Sequence, residues 1–348
     1  MARKPTLRQV FDKLLARFDP EIRKVFLVSI SDIKSRTVLK ILIERLDRGD
    51  INGALEALNI ERTAFARVED AISQTYSTGG SAMAEYLPAI LDTTGSHIVI
   101  RFDVRNIRAE QWLKDHSSNL ITSIVDEQRN NVRTVLEQGM AQGNNPRTVA
   151  LDIIGRINPL TQRREGGIVG LTQQQMQFVT NAKDELSSGN AVEMQKYLGR
   201  TRRDKRFDSV VRKAIKEDST LNSATVDKII SRYSDSLLKL RGDTIGRTEA
   251  LNSLNSSKDE AFQQGLEKAG YSHQSVTKIW RSSGDNRVRH SHSAMNGQKV
   301  KGLNSAFVSP FGARMKYPHD RSLGAGPEEI INCRCIVDYR IDFAEGLV

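Results

Sequence analysis

The sequence predicts a mainly α protein with a small α+β C-terminal module, a helical body followed by a compact two- or three-stranded domain. Apolar residues recur at helical spacing through most of the first 270 positions. After Gly270 the pattern turns to short alternating runs, and Gly and Pro become dense up to Pro327. With 38% hydrophobic and 27% charged residues, the 348-residue chain has the composition of globular proteins and not of disordered ones. Its length allows two or three domains. Three are expected: 1–105, an N-terminal helical region with one strand; 106–270, a helical body with a basic segment; and 271–348, the α+β module.

From Leu7 to Leu91 short helices are predicted, with Val10, Leu14, Leu15 and Phe18 on one face and Val38, Leu39, Leu42 and Leu46 on another. Asp19-Pro20 and Thr78-Gly79-Gly80 punctuate them. Ile98, Ile100, Phe102 and Val104 alternate as a strand would. A long helix is expected over 106–142, stopped by Gly143-Asn144-Asn145-Pro146, and a short one over 147–156. Arg163 to Gly167 reads as an exposed connection, and Thr172 as the cap of the next helix. Ser223 is a candidate cap for a run through Leu238, and Asp243 begins another that ends near Gly270. In the module, Val276 to Trp280 reads as a strand, Gly284-Asp285-Asn286 as a turn, Arg287 to Met295 as a short helix and Ile330 to Ile341 as a closing strand.

Several function classes lack their marks. There is no Gly-x-x-x-x-Gly-Lys-Ser/Thr or Gly-x-Gly-x-x-Gly loop, no His-Glu-x-x-His and no Gly-x-Ser-x-Gly elbow. Apolar runs are too short to span a bilayer and no apolar leader follows Met1, so a soluble, cytoplasmically made protein without a membrane partner is expected. With only Cys333 and Cys335, no disulfide framework exists.

The two cysteines and four of the six histidines (His273, His290, His292, His319) lie in the last quarter. On a strand, Cys333 and Cys335 would present both sulfurs on one face, with Cα atoms roughly 6.6 Å apart, the far limit for a disulfide. A shared zinc ion tolerates that spacing better. The expected set is Cys333, Cys335 and one helical histidine, with His319 or Asp320 as fourth ligand, in a closed structural site. His290 and His292 point roughly 200° apart on a helix, so only one can face the thiols. A module of about 75 residues has a thin core, which a structural metal would support. The plainer reading makes both cysteines ordinary core residues.

The net charge of +10 is concentrated in the middle, where fourteen Lys/Arg face seven Asp/Glu between Arg147 and Lys216. Within it, Arg200, Arg202, Arg203, Lys205, Arg206, Arg212 and Lys213 are candidate contacts to DNA phosphates. A solvated charged face is the alternative, and no base-reading motif accompanies them.

The series Gly246-Arg247-Thr248-Glu249-Ala250, Trp280, Asp285-Asn286-Arg287-Val288-Arg289-His290-Ser291-His292, Asn296-Gly297, Phe307, Tyr317-Pro318-His319-Asp320 and Asn332-Cys333-Arg334-Cys335 resembles, in order and spacing, the signature of the Mu F-like head morphogenesis family. The similarity covers about residues 147–340. It implies a non-enzymatic minor head protein of a tailed bacteriophage, made in the host cytoplasm and acting at the head interior or portal vertex. Its implied partners are the portal protein, capsid or scaffold proteins and double-stranded DNA. The family's Arg-x-x-His spacing falls on Arg289 and His292, leaving His290 a bystander; Arg289 would orient the ligand helix from a carboxylate or carbonyl. Two other classes stay open: a metal-dependent hydrolase such as a nuclease, and a DNA-binding module delivered with the genome. On the helix carrying Leu251, Leu254, Ala261, Phe262 and Leu266, Arg247 falls within the apolar arc and Glu249 points away. Arg247 is therefore expected to reach into the C-terminal module and bond its backbone or a carboxylate, unless it snorkels to solvent.

Overall fold

The computed structural model describes residues 5–92 and 94–344. Four helices open the chain: α1 (Leu7–Arg36), α2 (Leu39–Asp47), α3 (Ile51–Ala57) and α4 (Ala66–Ala84). The hairpin of β1 (Ile90–Leu91) and β2 (His97–Ile98) precedes α5 (Ile107–Ala141) and α6 (Pro146–Ile154). β3 (Arg156–Ile157) and β4 (Arg164–Glu165) pair before α7 (Gln173–Ser187), α8 (Ala191–Leu198), α9 (Asp208–Lys216) and α10 (Ser223–Ala269). The remainder holds β5 (Val276–Arg281), α11 (His290–Ala294), β6 (Lys299–Lys301), β7 (Phe307–Val308), β8 (Arg314–Met315), α12 (Pro327–Ile330) and β9 (Ile336–Ile341). β6, β5 and β9 form an antiparallel three-stranded sheet in that order, and β7 pairs with β8. The chain is mainly helical with a small C-terminal sheet, as its periodicity predicts.

Two compact units form, and they do not follow the expected boundaries at 105 and 270. One comprises Met1–Lys24, Val68–Ser118 and Asp243–Val348; the other comprises Val25–Arg67 and Asn119–Gly242. Several expected breaks are absent. α1 continues through Pro20, which is exposed on its outer side, because Phe11, Leu14, Phe18, Ile22, Phe26, Ile30 and Ile33 make one buried stripe on both sides of it. That burial outweighs the cost of a helical proline, about 3 kcal/mol. Gly79 and Gly80 make no turn but lie buried inside α4, where an added Cβ would sit 2.6 Å from Leu254 and 2.5 Å from Phe102. Close packing, not chain reversal, requires them. Nor does a break occur at Asp243: α10 is one helix, and Asn222, not Ser223, accepts the amide of Thr225 at its start. The strand expected through Val104 is only β2, and the closing strand starts at Ile336, with the last residue of α12 and an irregular turn in place of its first residues.

In the second unit, α7 begins at Thr172 with a capping box shared with Gln175. Of the connection expected to be exposed over Arg163 to Gly167 only Arg163 is exposed: Arg164 and Glu165 form β4 and are half-buried, and the segment from Gly166 to Leu171 is largely buried. Its polar backbone is satisfied from all sides: Lys34 donates to the Gly166 carbonyl at 2.7 Å, Asp235 accepts the Gly166 amide, and Gln128 accepts from Gly170 and donates to Leu171. Gly166 has φ +73°, and a Cβ there would meet Ser231 at 2.6 Å, so only glycine fits.

In the first unit, the stretch of α10 from Thr248 to Phe262 is buried on every side, although it reads as half polar. Its polar side chains hold neighbouring segments. Asn255 donates to the Cys335 carbonyl at 3.2 Å and Lys258 to the Val337 carbonyl at 2.7 Å. Thr248 accepts the amide of Asn332, Tyr339 donates to Asp259 at 2.7 Å, and Arg108 forks onto Glu260. Buried polar groups with such partners specify one arrangement where apolar contacts would accept several. Phe262, Leu266, Trp280, Phe307, Val337 and both cysteines belong to one continuous buried cluster that also includes Leu87 and Ile90. The C-terminal module therefore shares its core with α10 and the β1 region, which corrects the expectation of a thin, separate core.

Candidate metal centre

Three sequence segments build the centre. α11 carries His292, the irregular turn after α12 carries Cys333 and Cys335, and α12 itself carries Glu329. Cys333 and Cys335 do not lie on a strand as expected; a left-handed Asn332 (φ +58°) and a turn bond from the Cys333 amide to the Ile330 carbonyl bring both thiols to the same buried place. Cys333 Sγ lies 3.3 Å and Cys335 Sγ 3.6 Å from the same atom, His292 Nδ1. The three ligand atoms all lie within 4.8 Å of one another, and all three residues are buried. Of the two helical histidines, His292 is 1% exposed and faces the thiols, whereas His290 is exposed.

The other ring nitrogen, His292 Nε2, lies 2.8 Å from Glu329 Oε2, and Ser291 donates to the same oxygen at 3.0 Å. Glu329 is 2% exposed. The approach has ion-pair length without hydrogen-bond geometry, and a carboxylate so placed behind a histidine favours the proton on Nε2, which leaves Nδ1 free to ligate. No residue-level pattern in the sequence marks Glu329; only its place one turn before the cysteines hints at it. Burial pushes the Cys333 thiol up, whereas its hydrogen bond to Cys335 and the adjacent His292 hold Cys335 down to about 5.

The two expected fourth ligands are elsewhere engaged. His319, buried with φ +76°, donates from Nε2 to the Cys333 carbonyl at 2.6 Å, and burial pushes its imidazole down to about 4. It props the cysteine turn from the backbone side and does not join the group. Asp320 accepts the amides of Lys316 and Ser322, closing its own turn. Both are therefore corrected from ligands to turn-stabilising residues, because each is engaged by backbone groups of the turns beside the thiols. The structure brings together three chain ligands and not four.

The motif residues surround this centre. Arg289 donates to the carbonyls of Glu329 and Ile331 at 2.7 and 2.6 Å, joining the start of α11 to α12. Asp285 receives both Nη groups of Arg334, at 2.5 and 2.6 Å, and these bonds hold its carboxyl down to about 2. Arg247 and Glu249 exchange the places expected of them. Arg247 is 46% exposed and pairs with Asp19 of α1 at 3.3 Å, without reaching the C-terminal module. Glu249 is buried against His116, 2.6 Å away. Burial pushes the Glu249 carboxyl up, and the charge and hydrogen bond of His116 reverse this to a net lowering. A helical wheel assumes one wet face along the whole helix; from Thr248 to Phe262 α10 is enclosed all round, which buries Glu249, whereas Arg247 lies just before that stretch and stays exposed.

The basic candidates separate into two groups. Arg200 forks onto Glu185 at 2.9 and 2.6 Å, Arg203 onto Asp208 at 2.9 and 2.9 Å, and Arg206 pairs with Asp204 at 2.6 Å. Arg200 and Arg203 are mostly shielded and serve the packing of α7 to α10, so they are corrected as phosphate contacts. Lys213 is 3.9 Å from Glu217. Arg202, Lys205 and Arg212 are exposed, with no ion-pair partner among the described residues.

No helix among the described residues is long and apolar enough to cross a membrane. No family model matches the chain, and neither a curated protein nor a solved structure is significantly similar to it.

Proposed function

We propose that the chain is a minor head protein of a tailed bacteriophage, acting in head assembly beside the portal, with a C-terminal module fastened by a zinc ion on His292, Cys333 and Cys335. The observation that carries the metal is the convergence of two sulfurs on one ring nitrogen. Two sulfurs and one ring nitrogen, all buried and all within 4.8 Å of one another, are the donor types and the spacing that a tetrahedral zinc ion takes. Tetrahedral zinc, with bonds of about 2.3 Å to sulfur and about 2.0 Å to nitrogen, separates sulfur from nitrogen by about 3.6 Å. The observed 3.3 and 3.6 Å fit that edge. Metal binding would tie α11 to the turn before β9, with Glu329 orienting the histidine.

The assembly role rests on the resemblance in motif order. It is supported by what most of those residues do: Thr248, Asp285, Arg289, His292 and the cysteines, though far apart in sequence, all bond segments to one another around one centre. That is a structural lock. Head association is tested by tagging the chain in the virus that encodes it. Co-sedimentation with proheads and portal, and unfilled or aberrant heads when the gene is deleted, are expected; normal infectious particles from the deletion would refute the role. DNA contact, within this reading, falls to Arg202, Lys205 and Arg212.

A metal-dependent hydrolase is the second reading, favoured by the three-ligand count, since catalytic zinc sites keep a position open. Against it, no Asp or Glu lines the cavity beside the ligands, so a general base within reach of a bound water is missing.

A further inference from the structure

A cavity of about 150 Å³ opens beside the three ligands. His292, Cys333 and Cys335 share its wall with Arg287, Arg289 and Arg334, and no acidic residue takes part. The charges can be followed one by one. Arg334 is matched by Asp285, whose two oxygens both accept from it. Arg289 spends its Nη groups on carbonyls, which accept hydrogen bonds without cancelling its charge. Arg287 is exposed and forms no ion pair among the described residues. A divalent ion held by two thiolates is itself neutral overall, and the Glu329 carboxylate behind His292 offsets one of the two remaining arginines, so a net positive charge is left around a coordination set one ligand short of the usual four.

Building on the metal reading above, we infer that the ion's remaining position takes a single oxyanionic group from outside the chain, a carboxylate or a phosphate. Both present oxygens that zinc accepts and that arginines recognise in a fork. The small volume admits one such head group and no folded segment. In an assembling particle this makes the centre a docking point, completed by an acidic side chain of a partner or by a phosphate-bearing molecule.

The test uses the full-length protein with cobalt(II) in place of zinc, since tetrahedral cobalt absorbs in the visible and its bands follow the fourth ligand. Acetate and inorganic phosphate are titrated separately, at constant ionic strength set with perchlorate. A saturable band shift with acetate supports the inference and points to a carboxylate; one with phosphate supports it and points to a phosphate group. Arg287→Gln, an exposed change, should weaken the effective anion on the order of tenfold while leaving cobalt binding intact. Cobalt bands that neither anion moves, or equal titrations for wild type and Arg287→Gln, would overturn the inference and leave the metal reading standing. Failure to bind cobalt at all would remove both.

Discussion

The basic run of residues 200–213 and the His/Cys group between His292 and Cys335 are the two chemically densest stretches of the chain, and the fold uses them in opposite ways. Within the run, three of the five arginines find partners close in sequence: Arg206 takes Asp204, Arg203 takes Asp208 and Arg200 takes Glu185. The thiols and the histidine have no such neighbours and are assembled from segments about forty residues apart. Charges of both signs are plentiful, so a charged run usually meets compensation locally. Two cysteines in a whole chain that meet one histidine in a buried place have few bland explanations. Scarcity, more than density, marked the residues that the fold brings together over distance.

This contrast can be broken most severely at the cysteines. Cys333→Ser should lower zinc content from about one per chain to a trace, with affinity falling more than 100-fold, as removal of a ligand costs at least as much as loss of an outer-shell partner. Hydrogen exchange should quicken over 285–335 while α10 stays protected, because the shared core of Phe262, Leu266 and Trp280 does not depend on the ion. Metal analysis and exchange mass spectrometry read both. Glu329→Gln comes next: the ligands remain, but the histidine loses its charged partner and zinc affinity should drop by about 10–100-fold. An affinity equal to wild type would mean that the buried carboxylate plays no part in orienting the ring.

The polar core of α10 offers a pH test. Burial holds Lys258 down to about 8 from an ordinary 10.5, so the unfolded chain binds the proton more tightly. Stability linked to Lys258 is therefore complete above about 10.5 and is lost as pH falls through about 8. Between pH 8 and 9.5, below the range where tyrosines ionise in the unfolded chain, Lys258→Met should remove up to about 2 kcal/mol of the rise in unfolding free energy with pH. Denaturant titrations of both proteins measure the difference; identical pH profiles would show that the lysine is not buried as described.

Smaller effects belong to the basic run. Arg200→Gln leaves the shielded Glu185 without its fork and should cost about 1–2 kcal/mol, whereas Lys213→Gln should stay within about 0.5 kcal/mol. In a salt-titrated DNA assay, neutralising Arg202, Lys205 and Arg212 should flatten the slope by roughly one unit for each phosphate no longer neutralised. A triple variant with an unchanged slope would remove this surface from any DNA role.

The helical class, the stop at Gly143, the cap at Thr172 and the strand at Val276 were legible because local periodicity and cap chemistry decide them. Pro20, Gly79-Gly80 and Asp243 misled because tertiary burial overrides a local break when apolar stripes continue on both sides. In the candidate site, the grouping of the cysteines with one helical histidine followed from residue rarity and clustering, and the choice of His292 over His290 from the Arg-x-x-His spacing of the family resemblance, whereas the strand expected to align the thiols is a turn. Glu329 escaped, since a glutamate in a short acidic helix start looks like a dipole complement. His319 and Asp320 were drawn in by residue type, but their backbone bonds depend on turn conformations that no spacing rule reveals.

The most direct measurement of the metal-fastened module is X-ray absorption at the zinc edge on the purified full-length chain. About one zinc per chain is expected, with two sulfurs at about 2.3 Å and nitrogen or oxygen scatterers at about 2.0–2.1 Å filling the other positions. Metal-free protein whose melting is indifferent to added zinc and chelator, or a zinc shell without sulfur, would contradict it.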